Sequence, residues 1–312
     1  MREWEIIFHT VTSLPNNIVL DNLIEDLRSF SWEAFDILLF YSRILKDSSD
    51  KSNIIKTKEK GELVTIADLK VNELIIHRIN ERYKKINWQI LTEENVKIRS
   101  KNSDFNSNWL WVLDPLDGTM DYVQGTENYA MHLALNYKNQ PYIGIVLIPE
   151  RNELWISTRS KVWCENRDGV RKEASLSNNK ILNNMTIVTS KNHKNENLNK
   201  LIKLINFKNV VVMGSVGCKI ASILRGESEI YISLNLPGKS APKDWDFAAP
   251  AAILLAAGGA ITNLENESLS YNQENFEQGG IIIATSNKNT HREICLQIKE
   301  IINKNKLYPL KT

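Results

Sequence analysis

Apolar residues over 23–45 and again over 68–83 recur every three or four residues, which is the spacing of one face of a helix. This spacing predicts one or two long helices over 23–45 and an amphipathic helix over 68–83. The polar stretch over 46–62 lies between them and predicts a turn or a hairpin that leads to Val64.

Short runs of apolar and β-branched residues follow and predict strands, with a hairpin loop at 139–141 between two of them. The predicted strands of this part are 86–91, 109–114, 130–137, 142–148 and 153–158. After about residue 180, the predicted strands MTIVTS, NVVVMG, EIYISL, GAITNL and GIIIAT alternate with predicted helices near 195–206, 216–225, 246–257 and 288–303. Such alternation is typical of helices covering a sheet. We predict an α+β subdomain over 1–180, beginning with an extension over 1–30, and an α/β subdomain over 181–312.

Composition and charge exclude several classes of protein. The chain has 312 residues, of which 42% are hydrophobic and 24% charged, as in ordinary globular proteins. Its 39 basic and 37 acidic residues leave a net charge of +2, which argues against binding of a nucleic acid polymer. No apolar run approaches the ~20 residues of a membrane span, and Glu3 and Glu5 argue against a secretory signal. The three scattered cysteines form no pairing pattern and predict free thiols. Together with the absence of a spanning run and of a secretory signal, they predict a soluble cytoplasmic protein without a membrane partner.

The segment DPLDGT over 114–119 carries the most informative chemistry, because it follows a predicted strand and precedes a stretch that can begin a helix. Asp114 and Asp117 can converge across the proline, and Mg²⁺ is held by one or two carboxylates with water and phosphate oxygens. Gly118 and Thr119 would present backbone N–H groups to a phosphate oxygen. A capped strand-to-helix turn is the alternative, since Asp and Gly are common in turns.

Three further segments place carboxylates at the ends of predicted elements. Glu93 ends a predicted strand, while Asp68 and Asp246 each stand at the start of a predicted helix. Taken one at a time, a solvated loop residue explains Glu93 and an N-cap explains each aspartate. Their occurrence together with DPLDGT argues for one shared site.

The order VTIAD, TEE, DPLDGT and WDFAA, followed by an Ala-rich helix and AGG, resembles the inositol monophosphatase superfamily over about residues 55–290. The resemblance implies a layered αβαβα sandwich. It also implies a lithium-sensitive, Mg²⁺-dependent phosphatase for inositol phosphates, fructose bisphosphate or 3′-phosphoadenosine nucleotides. Members of the superfamily occur as monomers and dimers, which leaves a homodimer open.

The family pattern, transferred residue by residue, implies two Mg²⁺ ions. Glu93, Asp114 and the carbonyl of Leu116 would hold one ion, and Asp114, Asp117 and Asp246 would hold the other. Two cations ~3.5–4 Å apart can stabilise the attacking and the leaving oxygen of an in-line displacement. Most of these ligands lie in the predicted N-terminal subdomain.

The same resemblance implies catalytic roles for three residues. Asp68 and Thr119 match the positions that polarise the attacking water, and a third, weaker metal near Asp68 and Glu93 is also implied. No protein nucleophile is required, because positioning and charge neutralisation supply most of the acceleration of phosphoryl transfer.

Departures from the inositol monophosphatase pattern point to the substrate. Lys239 stands where these enzymes usually carry a glutamate that contacts inositol, and with Lys243 it could bind a second anionic group. The segment 213–231 is similar to the CysQ-type 3′(2′),5′-bisphosphate nucleotidases, in which Gly214 and Ser215 would face the substrate at a helix N-terminus. Solvated lysines and a plain Ser N-cap are the alternatives.

These departures favour hydrolysis of 3′-phosphoadenosine 5′-phosphate to AMP and phosphate, a reaction of sulfur assimilation. Phosphatase activity on inositol or sugar phosphates is an alternative, as is an inert scaffold or binding protein. The five histidines show no ligand spacing, so core or surface roles are expected for them.

Overall fold

A computed structural model describes residues 14–15, 18–47, 55–57, 63–96, 108–190, 196–273 and 275–309. Within these residues, helices α1 to α7 are Leu20–Asp47, Ile66–Arg82, Thr119–Val123, Glu196–Ile205, Val216–Leu224, Asp244–Ala256 and Lys288–Asn305. Strands β1 to β7 are Ile55–Thr57, Leu63–Thr65, Gln89–Thr92, Trp109–Asp117, Ala130–Tyr137, Gln140–Ile148 and Glu153–Ser157. Strands β8 to β14 are Val162–Glu165, Arg171–Glu173, Thr186–Ser190, Asn209–Met213, Ile230–Asn235, Ala260–Asn263 and Gly280–Thr285.

The first sheet has seven strands in the order β3-β4-β5-β6-β7-β8-β9, and each strand is antiparallel to the next except β3, which is parallel to β4. Strand β4 is buried on both faces, which is why its sequence is nearly continuous in apolar residues. Trp111 and Leu113 face a core that is closed by α1 and α2, whereas Leu110 and Val112 belong to the core on the opposite face.

The second sheet has five strands in the order β11-β10-β12-β14-β13. Strand β10 is parallel to β11 and β12, and β14 is antiparallel to both of its neighbours. One face of the sheet packs against α4 and α7 through an apolar core of its own. The amphipathic pattern of α7, with Ile294, Ile298 and Ile302 buried, places that helix on the outside of the molecule.

Helices α5 and α6 form the layer between the two sheets. A single core joins them to the inner faces of both sheets, so the order of layers is α1/α2, first sheet, α5/α6, second sheet, α4/α7. Helix α6 is apolar on all sides from Phe247 to Leu254, as expected for a helix covered on both faces. The predicted αβαβα sandwich is confirmed.

Small residues let α6 lie close to the first sheet. A Cβ atom at Gly144 of β6 would stand 2.5 Å from Cβ of Ala252 and 2.8 Å from the carbonyl oxygen of Ala249, which leaves no room for a side chain. Ala130 and Ala134 of β5 are fully buried on the same side of the sheet. This close approach fixes the distance between the sheet and the N-terminus of α6.

Several predicted boundaries can be compared directly with the structure. The predicted hairpin before Val64 is confirmed, because β1 pairs with β2 in antiparallel register. Residues 20–30 belong to α1 and contribute Leu23 and Leu27 to the core, so the predicted extension over 1–30 can involve only earlier residues, of which 1–13 and 16–17 lie outside the described part. The division near residue 180 falls between the two sheets and stays a prediction.

Among the described helices, none has the length and apolarity to cross a membrane.

Substitution of Gly144 by alanine should destabilise the protein, because the added methyl group must displace α6 from the sheet. Overpacking of this kind lowers the free energy of unfolding by about 1–3 kcal/mol, which urea denaturation would measure. Gly279→Ala is the matched control, since its nearest contact would be an ordinary 3.8 Å from Ala241 and a change within about 0.5 kcal/mol is expected. Equal stability of the two variants would contradict the close packing.

Candidate metal centre

An irregular end of β4 brings its carboxylates together. Asp114 pairs with His132 and Asp117 with Ala130, so the register shifts between the two aspartates, where Pro115 provides no N–H group for the ladder. The N–H group of Leu116 donates to Oδ1 of Asp114 over 3.0 Å, which holds the turn.

The strand then passes directly into α3 through a glycine. Gly118 has a φ of +90°, and a Cβ atom there would lie 2.9 Å from the carbonyl oxygen of Asn128. Glycine is therefore required twice, for its left-handed backbone and for this close approach. The turn exposes Thr119 at the start of α3, next to the two aspartates.

Helix α6 supplies the third carboxylate. Asp246 lies in its first turn and accepts a hydrogen bond from the N–H group of Lys243 over 2.5 Å, so it is the third residue of a capping box whose N-cap is Lys243. Because α6 is packed on β4 and β5, its N-terminus faces the end of β4. Carboxylate oxygens of Asp114, Asp117 and Asp246 all lie within 4.8 Å of one another.

The cluster carries excess negative charge in a buried place. Burial, followed by the charges of Glu93, Asp117 and Asp246, raises the pKa of Asp114 well above its ordinary value. Burial and the charge of Asp117 likewise raise the pKa of Asp246. Converging carboxylates that repel one another, beside the carbonyl of Leu116, are the hard oxygen donors that Mg²⁺ and similar cations take. The residues present therefore fit a divalent metal.

Glu93 follows the last residue of β3, and the parallel pairing of β3 with β4 places it near the end of β4. Thr92 is paired with Leu113, and the N–H group of Glu93 donates to the carbonyl oxygen of Leu113 over 3.2 Å. The half-buried Glu93 thus stands beside Asp114, and its charge raises the pKa of both Asp114 and Asp68.

Asp68 combines a structural role with a position at the site. Its Oδ2 accepts hydrogen bonds from the hydroxyl and the N–H group of Thr65, at 2.5 and 2.8 Å, in a capping box that begins α2. Its Oδ1 lies 3.4 Å from the hydroxyl of Thr119, which is also 3.1 Å from the carbonyl oxygen of Leu116. Burial, with a smaller repulsion from Glu93, raises the pKa of Asp68 to about 7.

Ser215 fixes the orientation of Asp117. Its hydroxyl donates to Oδ2 of Asp117 over 2.7 Å, and the N–H group of Val216 donates to the same oxygen over 2.5 Å. Ser215 also caps α5, as the plain alternative expected. This side chain is fully buried, whereas Gly214, the other residue of the predicted pair, is half-buried.

Two buried residues that sequence analysis did not place at the site lie beside it. Nε2 of His132 is 3.4 Å from Oδ2 of Asp117, and its Nδ1 is 3.3 Å from the carbonyl oxygen of Trp245. The ammonium group of Lys219, on α5, donates a hydrogen bond to the carbonyl oxygen of Gly214. The same nitrogen lies 5.4 Å from the centroid of the Tyr231 ring.

The buried charge of Lys219 is the more informative of the two. Burial lowers its pKa, while the charges of Asp117 and Asp246 act in the opposite direction. The sequence signal for placing Lys219 at the site is that it is a single lysine within the apolar stretch VGCKIASIL. A lysine buried in such a helix requires an anionic partner.

The two lysines predicted to bind substrate differ in their surroundings. Lys239 is exposed in the loop before α6. The Lys243 ammonium is 3.0 Å from Oε1 of Glu277 and 3.2 Å from the carbonyl oxygen of Asn275. Lys239 is therefore the more accessible cation of the pair.

Comparison with known proteins gives relatives over most of the chain. A 3′(2′),5′-bisphosphate nucleotidase CysQ of Aggregatibacter actinomycetemcomitans is 25% identical over 258 residues, covering 82% of this chain and 90% of that protein. An inositol-1-monophosphatase of Bacillus subtilis is 28% identical over 233 residues, covering 73% and 82%. The solved structure of a Thermotoga maritima IMPase is 19% identical, with a TM-score of 0.70 over 91% of this chain and 99% of that chain, and supports the fold alone.

These relatives are named for different substrates, whereas the family match covers most of the chain. The model of the inositol monophosphatase family matches residues 22–303, which include every ligand and cap of the carboxylate cluster. Members of this family are metal-dependent phosphatases. The chain therefore belongs to the inositol monophosphatase family.

Proposed function

We propose that this phosphatase is a Mg²⁺-dependent 3′(2′),5′-bisphosphate nucleotidase that converts 3′-phosphoadenosine 5′-phosphate to AMP and phosphate. The convergence of Asp114, Asp117 and Asp246 carries the metal-dependent chemistry. The exposed Lys239 in the loop that leads to the helix carrying Asp246, together with the similarity to CysQ, supports the bisphosphorylated substrate. A cytoplasmic setting is part of the proposal, since Cys164, Cys218 and Cys295 are free thiols.

Five oxygen donors would hold two Mg²⁺ ions. Glu93, Asp114 and the carbonyl of Leu116 would bind one, and Asp114, Asp117 and Asp246 the other. The bound ions would supply Lewis-acid stabilisation of phosphoryl charge and acidify a water molecule. A third, weaker ion near Glu93 and inhibition by lithium belong to the same proposal.

Asp68 and Thr119 would orient the attacking water. Oδ2 of Asp68 is held by Thr65, which leaves Oδ1 to accept the hydroxyl proton of Thr119. The Thr119 oxygen can then accept a proton from water as its own proton passes to Oδ1 of Asp68.

Backbone amides and one lysine would position the substrate. The N–H groups of Gly118 and Thr119 at the start of α3 would bind a phosphoryl oxygen. Gly214 lies near Gly118, since both glycines approach the carbonyl oxygen of Asn128. Lys239 would bind the second phosphate group as a flexible point charge. A similar contribution from Lys243 requires that its ammonium leave Glu277.

Two alternatives to the nucleotidase are another substrate class and an inert scaffold, and a different observation bears on each of them. The similarity to an inositol-1-monophosphatase at 28% identity favours inositol or sugar phosphates as a second candidate substrate. An inert scaffold would have no use for a buried carboxylate cluster, which is costly without a cation.

Asp117→Asn should reduce turnover at least about a hundredfold while leaving the fold intact, because it removes a metal-binding charge. The amide oxygen can still accept the hydrogen bonds of Ser215 and Val216. Phosphate release at saturating Mg²⁺ measures turnover, and thermal melting measures the fold. Asp168→Asn, in an exposed loop, is the matched control and should be silent. Unchanged turnover of Asp117→Asn would overturn the assignment of this ligand.

The metal-free protein should lose stability as the pH rises. Burial raises the pKa of Asp68 from 3.8 to about 7, so the folded protein binds more protons than the unfolded chain between about pH 4 and pH 7. The free energy of unfolding therefore falls across this window, and the raised pKa values of Asp114 and Asp246 act in the same direction.

Mg²⁺ should reverse this loss, since it binds the ionised carboxylates. Thermal melts with EDTA or with millimolar Mg²⁺ should show a larger Mg²⁺-induced rise in Tm at about pH 8 than at about pH 5. Asp117→Asn should show a smaller rise than the parent protein. A Tm that Mg²⁺ does not change at either pH would argue against a metal centre.

A substrate panel should rank 3′-phosphoadenosine 5′-phosphate above inositol 1-phosphate and fructose 1,6-bisphosphate in kcat/KM. Lys239→Glu should lower kcat/KM for the nucleotide about tenfold and affect inositol 1-phosphate less, because only the nucleotide has a second phosphate group beside the loop. Lys203→Glu, an exposed charge reversal on α4, should change neither value. A clear preference for inositol 1-phosphate would remove the nucleotidase proposal and keep the phosphatase.

A further inference from the structure

A cavity of about 820 Å³ lies away from the carboxylate cluster, at the C-terminal end of α6. The start of β6, strand β13 and the first turn of α7 form its other walls. Ala256, which lines it, and Asp246 are ten residues apart on the same helix, which is roughly 15 Å at 1.5 Å per residue. A volume of this size is typical of small-molecule sites, which range from about 300 to 1,000 Å³.

The floor and one side of the cavity are apolar. Leu269 and Ala252 are buried beneath it, and Leu255 of α6 remains 47% exposed within its lining. Tyr142 contributes an aromatic face on which Arg159 lies 5.6 Å from the ring centroid. A flat apolar body could therefore bury the surface of Leu255 and stack on the guanidinium that lies over this tyrosine.

The remaining wall is basic. Lys288 and Arg292 stand one turn apart at the start of α7, on the same side of the helix, and both are exposed. Arg159 is a third cation of the lining, while no Asp or Glu is found among the lining residues described. His291 adds no charge near neutral pH, because burial lowers its pKa to about 4. The charge of this cavity is thus opposite to that of the metal centre.

We propose that this cavity is a second ligand site, distinct from the phosphatase centre, for an organic anion with a flat apolar body. The apolar part would cover Leu255 and stack on Arg159, and the anionic part would lie between Lys288 and Arg292. Charge complementarity selects this class, because the exposed Lys288 and Arg292, with no acidic residue among the described lining residues, disfavour a cationic ligand and favour an anionic ligand over a neutral one. The site does not depend on the identity of the phosphatase substrate.

Fluorescence titration of the full-length protein in Mg²⁺ with anilinonaphthalene sulfonate tests the proposal, since this probe joins an apolar ring system to a sulfonate. Saturable binding is expected. Lys288→Glu/Arg292→Glu should raise the Kd about tenfold, and Leu255→Glu should also weaken binding by placing a carboxylate in the lining. N-phenylnaphthylamine, which has the rings without the sulfonate, should bind at least about tenfold more weakly to the parent protein.

Matched controls separate this site from the rest of the molecule. Lys304→Glu/Lys306→Glu carries the same charge change at the far end of α7 and should leave the Kd unchanged. Asp117→Asn should also leave it unchanged, which excludes binding at the metal centre, and the cavity variants should keep the parent turnover. The proposal is overturned by absence of saturable binding, by equal weakening in the control pair, or by equal affinity for the uncharged probe.

Discussion

Mutual repulsion among buried carboxylates is the constraint on which this molecule depends. Asp114, Asp117 and Asp246 come from two distant parts of the chain and are held within 4.8 Å of one another. Such a cluster opposes folding unless a cation is present, so the surrounding structure must hold it rigidly. The capping bond to Asp246 and the bonds of Ser215 and Val216 to Asp117 do this through backbone and hydroxyl donors. The same contacts that begin α5 and α6 therefore also aim the ligands.

The packing of α6 explains why the cluster can form at all. Its N-terminus can reach the end of β4 only because Gly144 and Ala252 let the helix lie against the sheet with almost no intervening side chain. The apolar sequence of α6 then secures it from the second sheet as well. The close packing along α6 therefore determines where the carboxylate at its N-terminus lies.

Much of this could be predicted from the sequence, because the relevant signals are local. Strand β5 follows its apolar run and helix α7 its apolar periodicity closely, and DPLDGT predicts a turn with converging oxygens. The strands Val162–Glu165 and Arg171–Glu173 were not predicted, since β9 is a fully exposed edge strand without an apolar pattern. His132 and Lys219 were missed for a different reason, because tertiary contacts bring them to Asp117. The pairing of β5 with β4 places His132 there, and the packing of α5 places Lys219 there. The roles of the site residues in catalysis stay predictions that family membership makes specific.

The position of Asp246 along the chain has a consequence for biosynthesis. Asp114 and Asp117 emerge from the ribosome well before the helix that carries the last ligand, and the first sheet can assemble while that helix is still being made. A nascent chain lacking α6 has an acidic strand end without its third carboxylate, and before residue 215 it also lacks the Ser215 hydroxyl that supports Asp117. The complete carboxylate cluster is thus a late product of synthesis, and any truncation before α6 yields a polypeptide that lacks it.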